Sequence, residues 1–279
     1  MRTILVVANE TLAGTALIER VEEEAAHGPL RVILCVPRKN PSRGAVVYAE
    51  TVFEAAQVRI DLSRAVLRER GIDCIGEVGD PDPYSATMDA VAEYHPDLII
   101  ISTFPLATSG WLRRDLIERV TEAVKVPVEH IVAEPGQGSP FDTTLVIANR
   151  TTNSDALIAE LQSMAEAEPT GRERLFVFVV PLEGGEGIAV KRAQARLAQV
   201  VDRAHAAGLL AAGMTGDPDP YTATMNALEL FGVDDIVIST YPETRSGWLR
   251  ADLISRTRKS SQLPVKHIVT DTEDTQVTA

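Results

Sequence analysis

Basic charge, cysteine and long apolar runs are all scarce in this 279-residue chain, and each shortage removes a class of function. Lys and Arg number 27 against 40 Asp and Glu, a formal net charge of −13. Binding nucleic acid takes a Lys/Arg face that neutralises phosphates, and anionic membrane leaflets attract basic segments, so the charge argues against both partners. Cys35 and Cys74 are too few for a secreted disulfide framework. Both sit in apolar, strand-like runs and read as buried thiols in a reducing cytoplasm. The longest apolar stretch, Leu175 to Leu182, has eight residues, against the roughly 20 that a membrane-spanning helix needs. Five histidines and scattered carboxylates form no metal-ligand spacing. The opening Met-Arg-Thr-Ile-Leu-Val-Val-Ala reads as a first strand, not a signal peptide. What remains is a soluble globular composition, 45% hydrophobic and 24% charged, at a length that suggests about two domains.

Those two domains are copies of one another. Residues 79–133 recur at 216–270 with a constant offset of 137, no gap, and 30 of 55 positions identical. Thr3-Ile-Leu-Val-Val-Ala-Asn9 is answered by Thr143-Thr-Leu-Val-Ile-Ala-Asn149, and Arg31 to Pro37 by Arg174 to Pro181. After that proline the second copy is shorter by about seven residues. A period near 140 makes each copy a whole domain, not a solenoid unit. The expected domains are 1–135 and 142–272, joined by the Gly/Pro/Ser-rich run 134–140. The tail from Asp271 is polar and reads as frayed.

Within each copy, short runs rich in Ile and Val alternate with helical patterns. Ile4 to Ala8, Val32 to Val36, Leu98 to Ile101 and Val128 to Val132 are mostly continuous apolar runs, the signature of strands buried on both faces. Ile72 to Val78 is a weaker strand. Ala13, Ala16, Leu17 and Val21 share one helical face, and Leu112, Leu116, Val120 and Val124 share another. The fold class is α/β: two tandem five-stranded, Rossmann-like parallel sheets of expected order 3-2-1-4-5.

In such a sheet, ligands collect beyond the C-terminal ends of the strands, where the strand order reverses. That places Asn9, Ser102 and Thr103 at a crevice in the first copy, and Asn149, Ser239 and Thr240 in the second. Gly79 and Asp80, with Gly216 and Asp217, lie beside it after strand 3, and Val36 and Val180 close strand 2. The repeated Ser-Gly-Trp-Leu-Arg segment supplies Ser109, Gly110 and Arg113, matched by Ser246, Gly247 and Arg250. A serine near a helix start and an arginine suit an anion such as phosphate. The competing reading is structural: Ser109 caps the helix, Trp111 staples it, and Arg113 pairs with a surface acid. In Gly-Asp-Pro-Asp-Pro-Tyr, Asp82 and Pro83 read as helix-start chemistry. His130 and His267 read as hydrogen-bonded strand residues, and Trp111 and Trp248 as packing or rim residues.

The opening Ile-Leu-Val-Val-Ala, the mid-domain Gly-Asp-Pro, Asp-Leu-Ile-Ile-Ile-Ser-Thr and the final Val-Pro-Val-x-His-Ile-Val resemble the universal stress protein family. The resemblance runs through both copies, as in tandem members. It implies an adenine nucleotide alpha hydrolase-like sheet, a regulatory role, and dimerisation through the last strand. ATP-binding members carry G-x2-G-x9-G-[ST] after strand 4. On this chain the motif's positions fall on Ser102, Pro105, Asp115 and Leu116, and on Ser239, Pro242, Asp252 and Leu253. Asn9 and Asn149 stand where the family often has Asp. The resemblance therefore does not extend to the family's usual mode of holding ATP.

The expected function is that of a cytoplasmic, non-enzymatic stress-response protein that binds an adenine nucleotide or another small, phosphorylated ligand in each crevice. The alternative is a protein-interaction module whose crevices are vestigial. A P-loop, G-x-G-x-x-G, H-x-G-H and S-G-G-x-D-S are all missing from the sequence. The two copies are expected to pair through their last strands as a pseudo-dimer, with a homodimer as a further possibility. There Glu129 of one would face Lys266 of the other across a two-fold axis.

Overall fold

The computed structural model describes residues 1–12, 14–38, 49–105, 111, 115–133, 141–167, 171–184, 187–242, 248 and 252–270. They fall into two compact units, the second beginning at Phe141. The first contains β1 (Arg2–Val7), α1 (Thr15–Ala26), β2 (Leu30–Pro37), α2 (Ala49–Glu69), β3 (Cys74–Gly79), α3 (Pro83–Tyr94), β4 (Leu98–Thr103), α4 (Leu116–Ala123) and β5 (Val128–Val132). The second repeats the order: β6 (Phe141–Ile147), α5 (Asp155–Ala167), β7 (Glu173–Pro181), α6 (Gly187–Ala206), β8 (Leu210–Gly216), α7 (Pro220–Leu230), β9 (Asp235–Thr240), α8 (Leu253–Ser261) and β10 (Val265–Val269). Each unit is one parallel sheet, ordered β3-β2-β1-β4-β5 and β8-β7-β6-β9-β10. Both match the expected 3-2-1-4-5.

The continuous apolar runs are explained by burial on both faces of the sheet. Ile4, Val6, Val32, Leu34 and Val36 pack with Leu17 and Val21 of α1 and Ala56 and Ile60 of α2. The alternate residues Leu5, Val7, Ile33, Cys35, Ile99 and Ile101 pack on the other face with Ala86 and Ala90 of α3 and Leu116 and Val120 of α4. Successive strand side chains point to opposite faces, so both sets are fully sealed only when helices cover both sides.

Strand register corrects one part of the repeat alignment. Thr3 lies beside Arg31, but its counterpart Thr143 lies beside Leu175, not Arg174. The copies therefore match in this strand through Pro37 and Pro181, and the two arginines are one place out of step. Val36 and Val180 remain equivalent.

The start of α4 is also not where the sequence expectation put it. Asp115 has φ 52°, and its counterpart Asp252 has φ 54°. That left-handed conformation cannot be part of an α-helix, so the helix carrying Leu116 and Val120 begins after Asp115 and not near Ser109. At α3, by contrast, Asp82 Oδ2 accepts from Ser85 N at 3.1 Å and Pro83 opens the helix; Asp219 and Thr222 N repeat the bond at 3.0 Å.

Candidate functional site

The strand-1 asparagine is the pivot of each crevice. Past the end of β1, Asn9 Nδ2 donates to the Pro37 carbonyl at 2.6 Å, and past β6 Asn149 Nδ2 donates to Pro181 at 2.9 Å. Two residues on, Thr11 Oγ1 donates to the Ser102 carbonyl at 3.0 Å and Thr151 Oγ1 to that of Ser239 at 3.1 Å. These bonds tie the loop after the first strand to the ends of its two neighbours. The turn at the switch point is thereby rigid, and backbone groups that would be costly to bury unpaired are satisfied.

Beyond the strand ends of the second unit lies a cavity of about 340 Å³ lined by Asn149, Arg150, Thr151, Pro181, Leu182, Glu183, Pro218, Ser239, Thr240, Tyr241 and Trp248. Its size falls within the range of small-molecule sites. Tyr241 Oη donates to the Arg150 carbonyl at 3.1 Å and braces one rim. Among the described residues, the Oγ atoms of Ser102 and Ser239 have no hydrogen-bond partner, although both residues are 1% exposed. A buried hydroxyl left unpaired is rare enough to point to a missing polar neighbour.

Among the expected site residues, Asn149, Ser239 and Thr240 therefore line one cavity. Val180 does not line it: it is fully buried in β7, and Val36 is a core residue of the first unit. Gly79 and Gly216 serve close packing, since a Cβ would lie 2.6 Å from Ala86 Cβ in one and 2.8 Å from Ala223 Cβ in the other. Asp80 Oδ1 accepts from Asp82 N and Asp217 Oδ1 from Asp219 N, each at 2.8 Å, so these carboxylates shape the turn before the helix. Ser109, Gly110, Arg113, Ser246, Gly247 and Arg250 lie outside the described residues, as do the joining run 134–140 and the tail from Asp271.

Thr103 and Thr240 each meet the last strand's histidine. Thr103 Oγ1 is 2.9 Å from His130 Nε2, and Thr240 Oγ1 is 2.8 Å from His267 Nε2. Burial lowers the pKa of both histidines, with Arg258 adding to the effect at His267. Both cysteines are buried, and burial pushes the Cys35 thiol up to about 12 and the Cys74 thiol to about 11, so neither is a nucleophile near neutral pH.

A matched arginine was missed in the sequence. The offset of 137 holds back through α2 and α6, pairing Arg59 with Arg196. Arg196 Nη1 donates to Asn149 Oδ1 at 2.7 Å and lies 3.3 Å from Glu183 Oε2, while the other Glu183 oxygen accepts from Arg150. Burial alone would raise the Glu183 carboxyl; Arg150 and Arg196 outweigh it and hold it below the usual range. In the first unit Asn9 Oδ1 has no hydrogen-bond partner among the described residues. Burial there lowers the Arg59 guanidinium, and Glu10 opposes that shift. Carrying the repeat comparison back from Gly79 to residue 49 would have revealed this pair.

The last-strand charges are engaged within their own units. Arg20 holds Glu129 through two bonds of 2.8 and 2.9 Å, and Lys266 pairs with Glu160. Residue 20 matches 160 and residue 129 matches 266, so the same bridge occurs twice with its charges reversed. That reversal accounts for the Glu/Lys difference without any contact across an axis.

The strand order and the crevice define a doubly wound α/β domain with its candidate ligand site at the switch point. Residues 1–129 match the model of the universal stress protein family. Similar solved structures include a universal stress protein from Archaeoglobus fulgidus DSM 4304, at 16% identity, covering 98% of this chain and 97% of that one with a TM-score of 0.36. Another is a protein assigned as a universal stress protein from Pseudomonas aeruginosa UCBPP-PA14, at 17% identity, 97% and 94% coverage and a TM-score of 0.33. Likenesses this distant add nothing to the strand order itself. No curated protein matches the chain. Among the described residues, no helix is long and apolar enough to cross a membrane.

Proposed function

We propose that the chain is a tandem universal stress protein that binds a small ligand, an adenine nucleotide or another phosphorylated molecule, in its switch-point crevices. In this reading it is a non-enzymatic binding protein of the cytoplasm. The observation that carries the reading is the cavity of about 340 Å³ in the second unit, lined by Asn149, Ser239 and Thr240. Mass spectrometry of small molecules carried through purification tests it directly, with thermal shifts for AMP, ADP and ATP alongside. A retained nucleotide, or a shift of several degrees, is the expected result. A chain that purifies empty and shows no shift with any of the three refutes the nucleotide reading.

The alternative, an interaction module with vestigial crevices, draws on a different observation. Asn149 is already satisfied at both ends by Pro181 and Arg196, and Glu183 already engages the nearby cations. A protein partner captured by the intact chain, with no ligand saturating either crevice, would favour that reading.

A further inference from the structure

Glu183 stands on the wall of the second crevice with its side chain 24% exposed, held by two guanidinium groups from different elements. Arg150, in the turn after β6, hydrogen-bonds one carboxylate oxygen. Arg196, reaching in from α6 with its side chain 19% exposed, approaches the other at 3.3 Å. Convergent guanidinium groups are the preferred protein partners of carboxylates and phosphates. Here they meet beside a cavity large enough for a small molecule. Ser239 lines the same cavity, and its buried hydroxyl has no hydrogen-bond partner among the described residues.

The first copy shows that the carboxylate is not required by the fold. It retains the α-helical arginine as Arg59, but Glu10 takes the place of Arg150. The residue two places after Pro37 is Lys39, where Glu183 follows Pro181; Lys39 lies outside the described residues. At the position of Glu183, the first copy's sequence carries a cation in place of the carboxylate.

We propose that Arg150 and Arg196 form an anion subsite in the second crevice, that Glu183 occupies it as an internal competitor, and that the ligand of this crevice carries a carboxylate or phosphate that takes its place. This rests on the ligand-binding reading above and specifies the ligand's charge. A tethered carboxylate competes at high effective concentration, so it weakens an anion's apparent affinity and leaves a neutral ligand's nearly unchanged.

The test uses the full chain with Trp111→Phe, which leaves Trp248 on the cavity wall as the sole tryptophan reporter. Inorganic phosphate, succinate and adenosine are titrated separately, in phosphate-free buffer, into this protein and its E183Q and E183Q/R196Q derivatives. Far-UV circular dichroism checks that each is folded. E183Q is expected to tighten one of the two anions by about tenfold or more, with the gain lost in E183Q/R196Q and adenosine unaffected. Whether phosphate or succinate gains identifies the ligand's anionic group. If adenosine binds while neither anion gains, or if the gain survives R196Q, the subsite is refuted and the crevice reading stands. If no probe binds any variant, both fall.

Discussion

The two crevices share their backbone but not their charges, and the comparison separates what the fold needs from what a ligand would need. In both, the asparagine bonds to the proline carbonyl, the threonine bonds to the serine carbonyl, and the buried serine hydroxyl has no partner among the described residues. These are the invariant frame of the switch point. Around the frame, the second unit closes an Arg150–Glu183–Arg196 network on Asn149. Among the described residues, the first leaves Asn9 Oδ1 without a hydrogen-bond partner and sets Glu10 near Arg59. Two domains copied from one pattern have kept their main-chain scaffolding while their rims have diverged.

The largest expected difference between the copies lies in the sheet. Gly76 and Gly213 occupy matched positions in β3 and β8. A Cβ on Gly213 would lie 2.6 Å from the Phe178 carbonyl oxygen and 2.6 Å from Leu197 Cδ1. The carbonyl is part of the neighbouring strand and cannot move without breaking the ladder. The three atoms nearest a Cβ on Gly76 all belong to Ile60, with Cγ2 at 2.1 Å. Gly213→Ala should therefore destabilise its unit by about 3 kcal/mol or more, and Gly76→Ala by about 1–2 kcal/mol, in urea unfolding. Ile60→Leu removes the offending branch and should recover part of the second loss. Equal costs would show that the contact with the helix and not the neighbouring strand sets the penalty, and no rescue by Ile60→Leu would show that the Ile60 branch does not set it.

A smaller difference separates the reversed ion pairs. Arg20 grips Glu129 with two nitrogens and also bonds Glu24 Oε1 at 2.5 Å, and Glu24 is 6% exposed. Arg20→Ala would leave a buried carboxylate paired with Arg2, at an expected cost of about 1–3 kcal/mol. Lys266 and Glu160 make one bridge with both side chains substantially exposed. Glu160→Ala should cost about 0–1 kcal/mol, and high salt should erase it. A double R20E/E129K variant imitates the second copy's polarity. It should recover only part of the R20E loss, because Glu24 would then face a glutamate. Full recovery would show that Glu24 draws nothing from Arg20.

The sequence made the sheet legible because its strands are sealed on both faces, and runs such as Leu98 to Ile101 have no other stable home. The capped start of α3 was equally plain, since Asp82 and Pro83 act through local chemistry. Register was harder: in a strand apolar at every position, shifting by one changes no pattern, so Arg31 and Arg174 were matched wrongly. The start of α4 depended on a left-handed φ at Asp115, a backbone choice that the apolar spacing of Leu112, Leu116 and Val120 does not record. The crevice was found by topology, through Asn149, Ser239 and Thr240. Arg196 escaped because it reaches the crevice from a helix far away in sequence, and Glu183 because it lies just past Pro181 in the loop where the copies differ most. The Glu129/Lys266 exchange carried information, but about partners in α1 and α5.

The last and smallest difference is between the histidines of the final strands. Both have pKa values lowered by burial, so each is protonated less readily in the folded chain than in the unfolded one. As pH falls below about 6.5, the unfolded state takes up these protons first. Stability contributed by the neutral rings is therefore complete above that value and is lost as pH drops through the folded pKa values. His130→Gln and His267→Gln should each flatten the stability profile in that window, because the amide can still donate to Thr103 or Thr240 without titrating. Arg258 lowers His267 further and has no such effect at His130, so NMR titration should find His267 deprotonating at the lower pH. Arg258→Gln should bring the two together. If it instead leaves His267 unchanged, the difference between the copies at this strand comes from burial alone.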